Sequence, residues 1–219
     1  VLLPTADPLI GEPMVSAAET AVERINDAGG VLGRDVQITI ADEGGTTATA
    51  SAGVQTLLDA EVDAIVGPAS SVVALSILDD IVGSDTLACS PTASAIALDD
   101  FPDGGLFVRT IASDSLQARA IADAAERTGE ERAVLAFVDD AYGRGLSDAV
   151  EQAFASGPIE VVDTIAFTGR DDDLGDEDRR ILEAGASVVV VVAAADDGLR
   201  MLEELDDVDT SDVASVFVN

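Results

Sequence analysis

The stretch Ser187-Val188-Val189-Val190-Val191-Val192 is apolar from its second residue to its last, with no polar residue alternating into it. A strand with one wet face alternates; a strand covered on both faces does not. The run therefore predicts a central strand of a parallel sheet. Its neighbours agree. Residues 177–184 and 197–205 carry helical periodicity, the first with Arg179 and Arg180 on its surface. Residues 213–218 form a closing strand, and the acidic run 169–178 is expected to be an exposed loop.

Working outward towards the start of the chain, the same alternation repeats. Residues 159–166 and 132–138 read as strands, and 145–154 and 115–127 as helices. Before them come a helix over 16–28 closed by Gly29-Gly30, a strand over 36–41, and a helix over 47–60 with Ala50, Val54, Leu57 and Leu58 on one side. A strand over 62–66 closed by Gly67-Pro68, a helix over 71–82 and a strand over 86–89 follow. Residues 92–98 form a turn or short helix, and 106–110 an extended run. Strands alternating with helices of this length define βαβ units with right-handed crossovers and helices on both faces of a parallel sheet. The pattern restarts midway, which predicts an α/β architecture of two lobes, residues 1–112 and 113–219. The chain opens and closes inside strands, so it reads as trimmed at both ends.

The composition narrows the function classes. Acidic residues number 43 against 11 basic ones, giving a net charge of -32. Every basic residue is Arg. Such a surface repels nucleic acid and anionic headgroups, so no nucleic-acid partner is expected. It reads as the surface of a protein that stays soluble in high salt, where self-repulsion is screened, the alternative being acidic patches for cationic partners. Cys89 is the single cysteine, which excludes an internal disulfide; in its apolar run it reads as a small buried hydrophobe. The longest apolar run, 188–195, is too short to span a bilayer, so no transmembrane segment is expected. There is no His, no phosphate-binding glycine loop and no nucleotide fingerprint. No catalytic residue, cofactor or metal is assigned, and Asp79-Asp80 and Asp139-Asp140 are ordinary in a chain this acidic.

In parallel α/β lobes, ligands meet the loops beyond the carboxyl ends of the strands. Two such loops are rich in hydroxyls: Gly67-Pro68-Ala69-Ser70-Ser71 and Ser90-Pro91-Thr92-Ala93-Ser94. If each enters a helix, its free N–H groups and the positive end of the helix dipole can hold a carboxylate with the help of a hydroxyl. The same serines can instead simply cap their helices. The turn Tyr142-Gly143-Arg144-Gly145 carries the only Tyr, which either walls a binding cleft or packs on the lobe surface, with Arg144 free to pair with nearby acids.

These segments, in order, carry a resemblance. The run Gly11-Glu12-Pro13 leading into Ala21-Val22-Glu23-Arg24-Ile25-Asn26-Asp27-Ala28-Gly29-Gly30-Val31-Leu32-Gly33-Arg34, then Val62-Asp63-Ala64-Ile65-Val66-Gly67-Pro68-Ala69-Ser70-Ser71, Ser90-Pro91-Thr92-Ala93-Ser94 and Asp140-Ala141-Tyr142-Gly143-Arg144-Gly145, resembles the extracellular solute-binding proteins of ABC transporters. The resemblance is to their branched-chain amino acid-binding (leucine-binding protein-like) group and its type I periplasmic-binding fold, over essentially the whole chain. It implies two lobes that close on a small solute, an amino acid or a related carboxylate or amide, and deliver it to a membrane permease. It also implies a periplasmic or extracellular location, with a lipid anchor on a segment preceding Val1. By resemblance, Ser71, Thr92 and Ser94 hold the carboxylate and contribute to the ammonium site, and Tyr142 closes over the ligand; Ser70 and Ala93, in the same loops, are taken as ligand-binding candidates with them. Where relatives carry an aromatic after the 187–192 strand, this chain has Ala193-Ala194-Ala195. The resemblance places the chain's return to the first lobe, and the acid that meets the ligand's ammonium, beyond Asn219. The alternatives are a ligand-sensing receptor ectodomain with the same fold, and an enzyme on a flavodoxin-like sheet.

Overall fold

The computed structural model describes residues 1–168, 175–193, 195–207 and 215–218. The chain divides into two compact units, Val1–Ser94 with Asp100–Ile111, and Ala95–Asp99 with Ala112–Asn219.

The first unit contains β1 (Leu2–Leu3), α1 (Gly11–Asp27), β2 (Ala41–Asp42), α2 (Thr47–Asp59), β3 (Ala64–Val66), α3 (Ser71–Gly83), β4 (Leu87–Ser90) and β5 (Phe107–Arg109). β1 pairs with β2, and β3, β4 and β5 form a second sheet in that order, every pairing parallel. The two sheets meet at Gly67 (φ 121°), where a Cβ would overlap the Leu2 carbonyl oxygen. Only glycine allows the end of β3 to lie that close to β1. The core is aliphatic: Leu2, Leu57, Ile65, Ile77, Leu78 and Ile81 are fully buried.

Three local expectations differ from the structure. α1 starts at Gly11 rather than residue 16. Asp7 organises that start, its Oδ1 accepting from the N–H groups of Leu9 (2.8 Å) and Ile10 (3.0 Å). Pro13 falls in the first turn, where no N–H is required. The strand expected over 36–41 is confined to Ala41–Asp42. Its ladder runs from the Thr39 carbonyl, which accepts from the Val1 amino group, to the Glu43 N–H, which donates to Leu3; the earlier residues have no strand partner there, and Val36 bonds the Asn26 side chain instead. Cys89 is partly rather than fully buried, in parallel register between Val66 and Val108.

The second unit contains a 3-10 turn (Ile96–Leu98), α4 (Asp114–Glu126), β6 (Arg132–Val138), α5 (Ala141–Phe154), β7 (Glu160–Phe167), α6 (Gly175–Glu183), β8 (Val188–Val192), α7 (Ala195–Asp207) and β9 (Ser215–Val218). The sheet order is β7-β6-β8-β9, all parallel. β8 lies inside the sheet and all five of its residues are buried, as its unbroken apolar sequence requires. One face packs Leu135, Val188 and Val190 against Ala118, Leu146 and Phe154 of α4 and α5. The other packs Val134, Val189 and Val191 against Ile181, Met201 and Leu205 of α6 and α7. Each buried valine contributes about 1.5–3 kcal/mol through water exclusion. The acidic loop expected over 169–178 lies outside the described residues as far as 174, and α6 begins at Gly175. Arg179 is on the surface as expected and pairs with Asp176 and Glu183; Arg180 reaches Asp163.

Candidate functional site

The carboxyl ends of β3 and β4 carry the two hydroxyl-rich loops of the first unit, and a set of hydrogen bonds stitches these loops together. Ser70 caps α3, its Oγ accepting from the Val73 N–H at 3.4 Å, and Ser71 is buried as the first residue of the helix. Thr92 Oγ1 donates to the Ala69 carbonyl at 2.9 Å, tying the second loop to the first. Ser90 is fully buried at the end of β4; its Oγ donates to the Pro68 carbonyl and accepts from the Ala93 N–H at 2.9 Å. The Ala93 carbonyl accepts from Arg109 Nη1 at 3.5 Å.

The two loops are not equivalent, which corrects the reading of paired helix starts. The first enters a full helix. The second leads only to the 3-10 turn, whose cap is Ala95 and lacks a side-chain cap bond. Ser94 is therefore not a helix cap. With Ala93 buried, its N–H bonded to Ser90 and its carbonyl to Arg109 of β5, the ordering hydroxyl of this segment is Ser90, which the sequence reading passed over.

Glu43 was also passed over. It follows β2 directly and is only 2% exposed. Its carboxylate accepts from the N–H of Ala69 at 2.6 Å (Oε2) and of Ser70 at 3.1 Å (Oε1). Two donors at the approach to α3 thus already serve a carboxylate of the protein itself. Burial pushes the Glu43 carboxyl above its ordinary range; the bonds from Ala69 and Ser70 oppose the rise, and neighbouring Asp42 adds to it.

In the second unit, Tyr142 sits in the first turn of α5, not in a turn preceding it, because the helix begins at Ala141. Asp140 caps that start, its Oδ1 accepting from the Gly143 N–H at 2.8 Å. Arg144 pairs with Asp139 at 2.6 Å, one of the nearby acids. The Tyr142 ring is half-buried and touches the apolar clusters on both faces of the sheet. Its phenol is pushed up to about 12, first by burial, then by Asp114 and Asp140. Asp114, the first residue of α4, is fully buried.

No described helix is long and apolar enough to cross a membrane. Among the described residues, no group of three or more acidic or Cys side chains is placed to hold a metal ion.

The chain thus comprises two α/β units, each with parallel sheets flanked by helices, the construction of a two-lobed type I periplasmic-binding fold. Residues 4–218 match the family described as periplasmic binding protein, and the chain belongs to that family, one of binding proteins rather than catalysts. It is 30% identical over 201 residues to a Leu/Ile/Val-binding protein of Rhizobium johnstonii, covering 90% of this chain and 54% of that protein. It is 29% identical over 196 residues to the chemotactic signal transduction system substrate-binding protein of Halobacterium salinarum, covering 86% of this chain and 47% of that one. An ABC transporter substrate-binding protein of Desulfitobacterium hafniense, solved in complex with Leu, superposes with a TM-score of 0.81 at 25% identity, over 99% of this chain and 63% of that one. The chain spans about half the length of the curated relatives it matches.

Proposed function

We propose that this protein binds a small solute, an amino acid or a related carboxylate or amide, and presents it to the permease of an ABC transporter at the outer face of the membrane. The supporting observation is the stitched pair of loops at the strand ends of the first unit, in a chain of the periplasmic binding family whose leucine-complexed relative shares its fold. In this reading Ser70, Ser71, Thr92, Ala93 and Ser94 form the carboxylate-holding segment; the Ser70 and Ala93 N–H groups, bonded to Glu43 and Ser90, keep its shape, and the hydroxyls of the segment meet the solute carboxylate. Tyr142 supplies an aromatic wall from the second unit. Closure of the lobes is a ligand-driven population shift. The location is periplasmic or extracellular, with a lipid anchor as the means of retention.

A second reading, ligand sensing for a signalling receptor, is favoured by the likeness to the chemotactic substrate-binding protein. Both readings require solute binding; they differ in the partner that recognises the loaded form.

The test is thermal denaturation of the protein against amino acids, amides and small organic acids, in low and high salt. A bound solute raises the melting temperature by linkage. Ser94→Ala is expected to weaken binding while leaving the unliganded melting temperature unchanged. A screen in which no carboxylate-bearing solute shifts the transition would overturn the carboxylate-site reading.

A further inference from the structure

We propose that Glu43 is a positioning residue for the solute loop: its buried carboxylate fixes the backbone of Ala69 and Ser70 in the arrangement that lets the adjoining residues bind. This rests on the proposed role of that loop. Glu43 lies 26 residues before Ala69, on a different strand end, yet it spends both carboxylate oxygens on consecutive N–H groups of the loop. A carboxylate buried to 2% exposure carries a desolvation cost that ordinary loop anchoring by a neutral side chain would avoid. Two charge-assisted bonds from one rigid group to consecutive amides define direction as well as distance. The effect passes along the chain. Ala69 also receives the Thr92 hydroxyl on its carbonyl, and Ser70 is the cap of α3, so one carboxylate sets the first loop, the start of the helix and the docking point of the second loop. Glu43 touches these backbone groups and acts on the solute only through them.

The chemistry separates the variants. Glu43→Gln keeps the size but offers one acceptor and one donor, so one of the two amides faces a donor. Glu43→Asp keeps both acceptors on a side chain one methylene shorter. Two readouts are needed: amide hydrogen exchange at Ala69 and Ser70 without solute, and calorimetric binding of L-leucine well below the melting temperature. Glu43→Gln is expected to lose protection at those amides and to weaken leucine binding by about tenfold or more, with Glu43→Asp recovering part of both. Unchanged protection in Glu43→Gln overturns the positioning role. Lost protection with unchanged leucine affinity also overturns it, reducing Glu43 to a structural anchor while leaving the binding function intact. If the wild-type protein does not bind leucine, the functional reading fails for that solute, and the role of Glu43 in binding falls with it.

Discussion

The Asp140 carboxylate accepts from the Gly143 N–H at 2.8 Å, and the same glycine lies so close to the end of β6 that a Cβ would overlap the Val138 carbonyl oxygen. Cap and close approach together bring the first turn of α5, with Tyr142, onto the carboxyl edge of the sheet. Asp140→Ala is expected to cost about 1 kcal/mol, as loss of a cap does. Gly143→Ala must push the helix off the strand end and is expected to cost about 1–3 kcal/mol. Urea unfolding of the two variants checks the order: a harmless Gly143→Ala would mean that the close approach is not needed.

Tyr142 is the only tyrosine and there is no tryptophan, so phenolate absorbance titrates this residue alone. Its midpoint is expected near pH 12 in the folded protein. Asp114→Asn removes one of the carboxylates that oppose ionisation and should lower the midpoint. The folded state holds this proton more tightly than the unfolded chain, whose tyrosine ionises near pH ~10. The phenol's contribution to stability is therefore whole below that value and is lost as pH rises towards about 12. A midpoint near 10 would place the ring in water.

The net charge of -32 predicts a strong dependence of stability on salt. Self-repulsion among the acids is screened as the Debye length shrinks to about 3 Å at 1 M salt. The melting temperature should climb steeply with added sodium chloride and then level off. A flat profile would show that the surface acids contribute little repulsion in the folded state.

Phe154 is fully buried between α5 and the sheet. Phe154→Ala is expected to cost about 3–5 kcal/mol from lost burial and the cavity left behind, measured by urea unfolding in high salt.

What the sequence made legible follows from the range of the forces involved. β6 was read at its observed bounds, and the interior place of β8 followed from valines that need cover on both faces. The start of α5 was misplaced because Asp140, Gly143 and Gly145 look like turn residues in isolation. Only the strand-end geometry makes the first a cap and the second a contact. The start of α1 was missed for the same reason at Asp7 and Gly11, where a Cβ on the glycine would overlap the Pro4 carbonyl oxygen. Glu43 left no local trace, since one acid among 43 is unremarked until the fold carries Ala69 and Ser70 to it. The helix start expected after Ser94 is absent because the following residues form a 3-10 turn, and the ordering role of Ser90 shows only once the fold brings Pro68 and Ala93 to it.

Cys89, half-buried on β4, immediately precedes the serine that ties Pro68 to Ala93. Being the sole thiol, it is a chemical address for this one strand end. A small fluorophore attached there would sit within a residue of the stitched loops and register their rearrangement in solution, giving the protein a built-in place for an optical solute sensor.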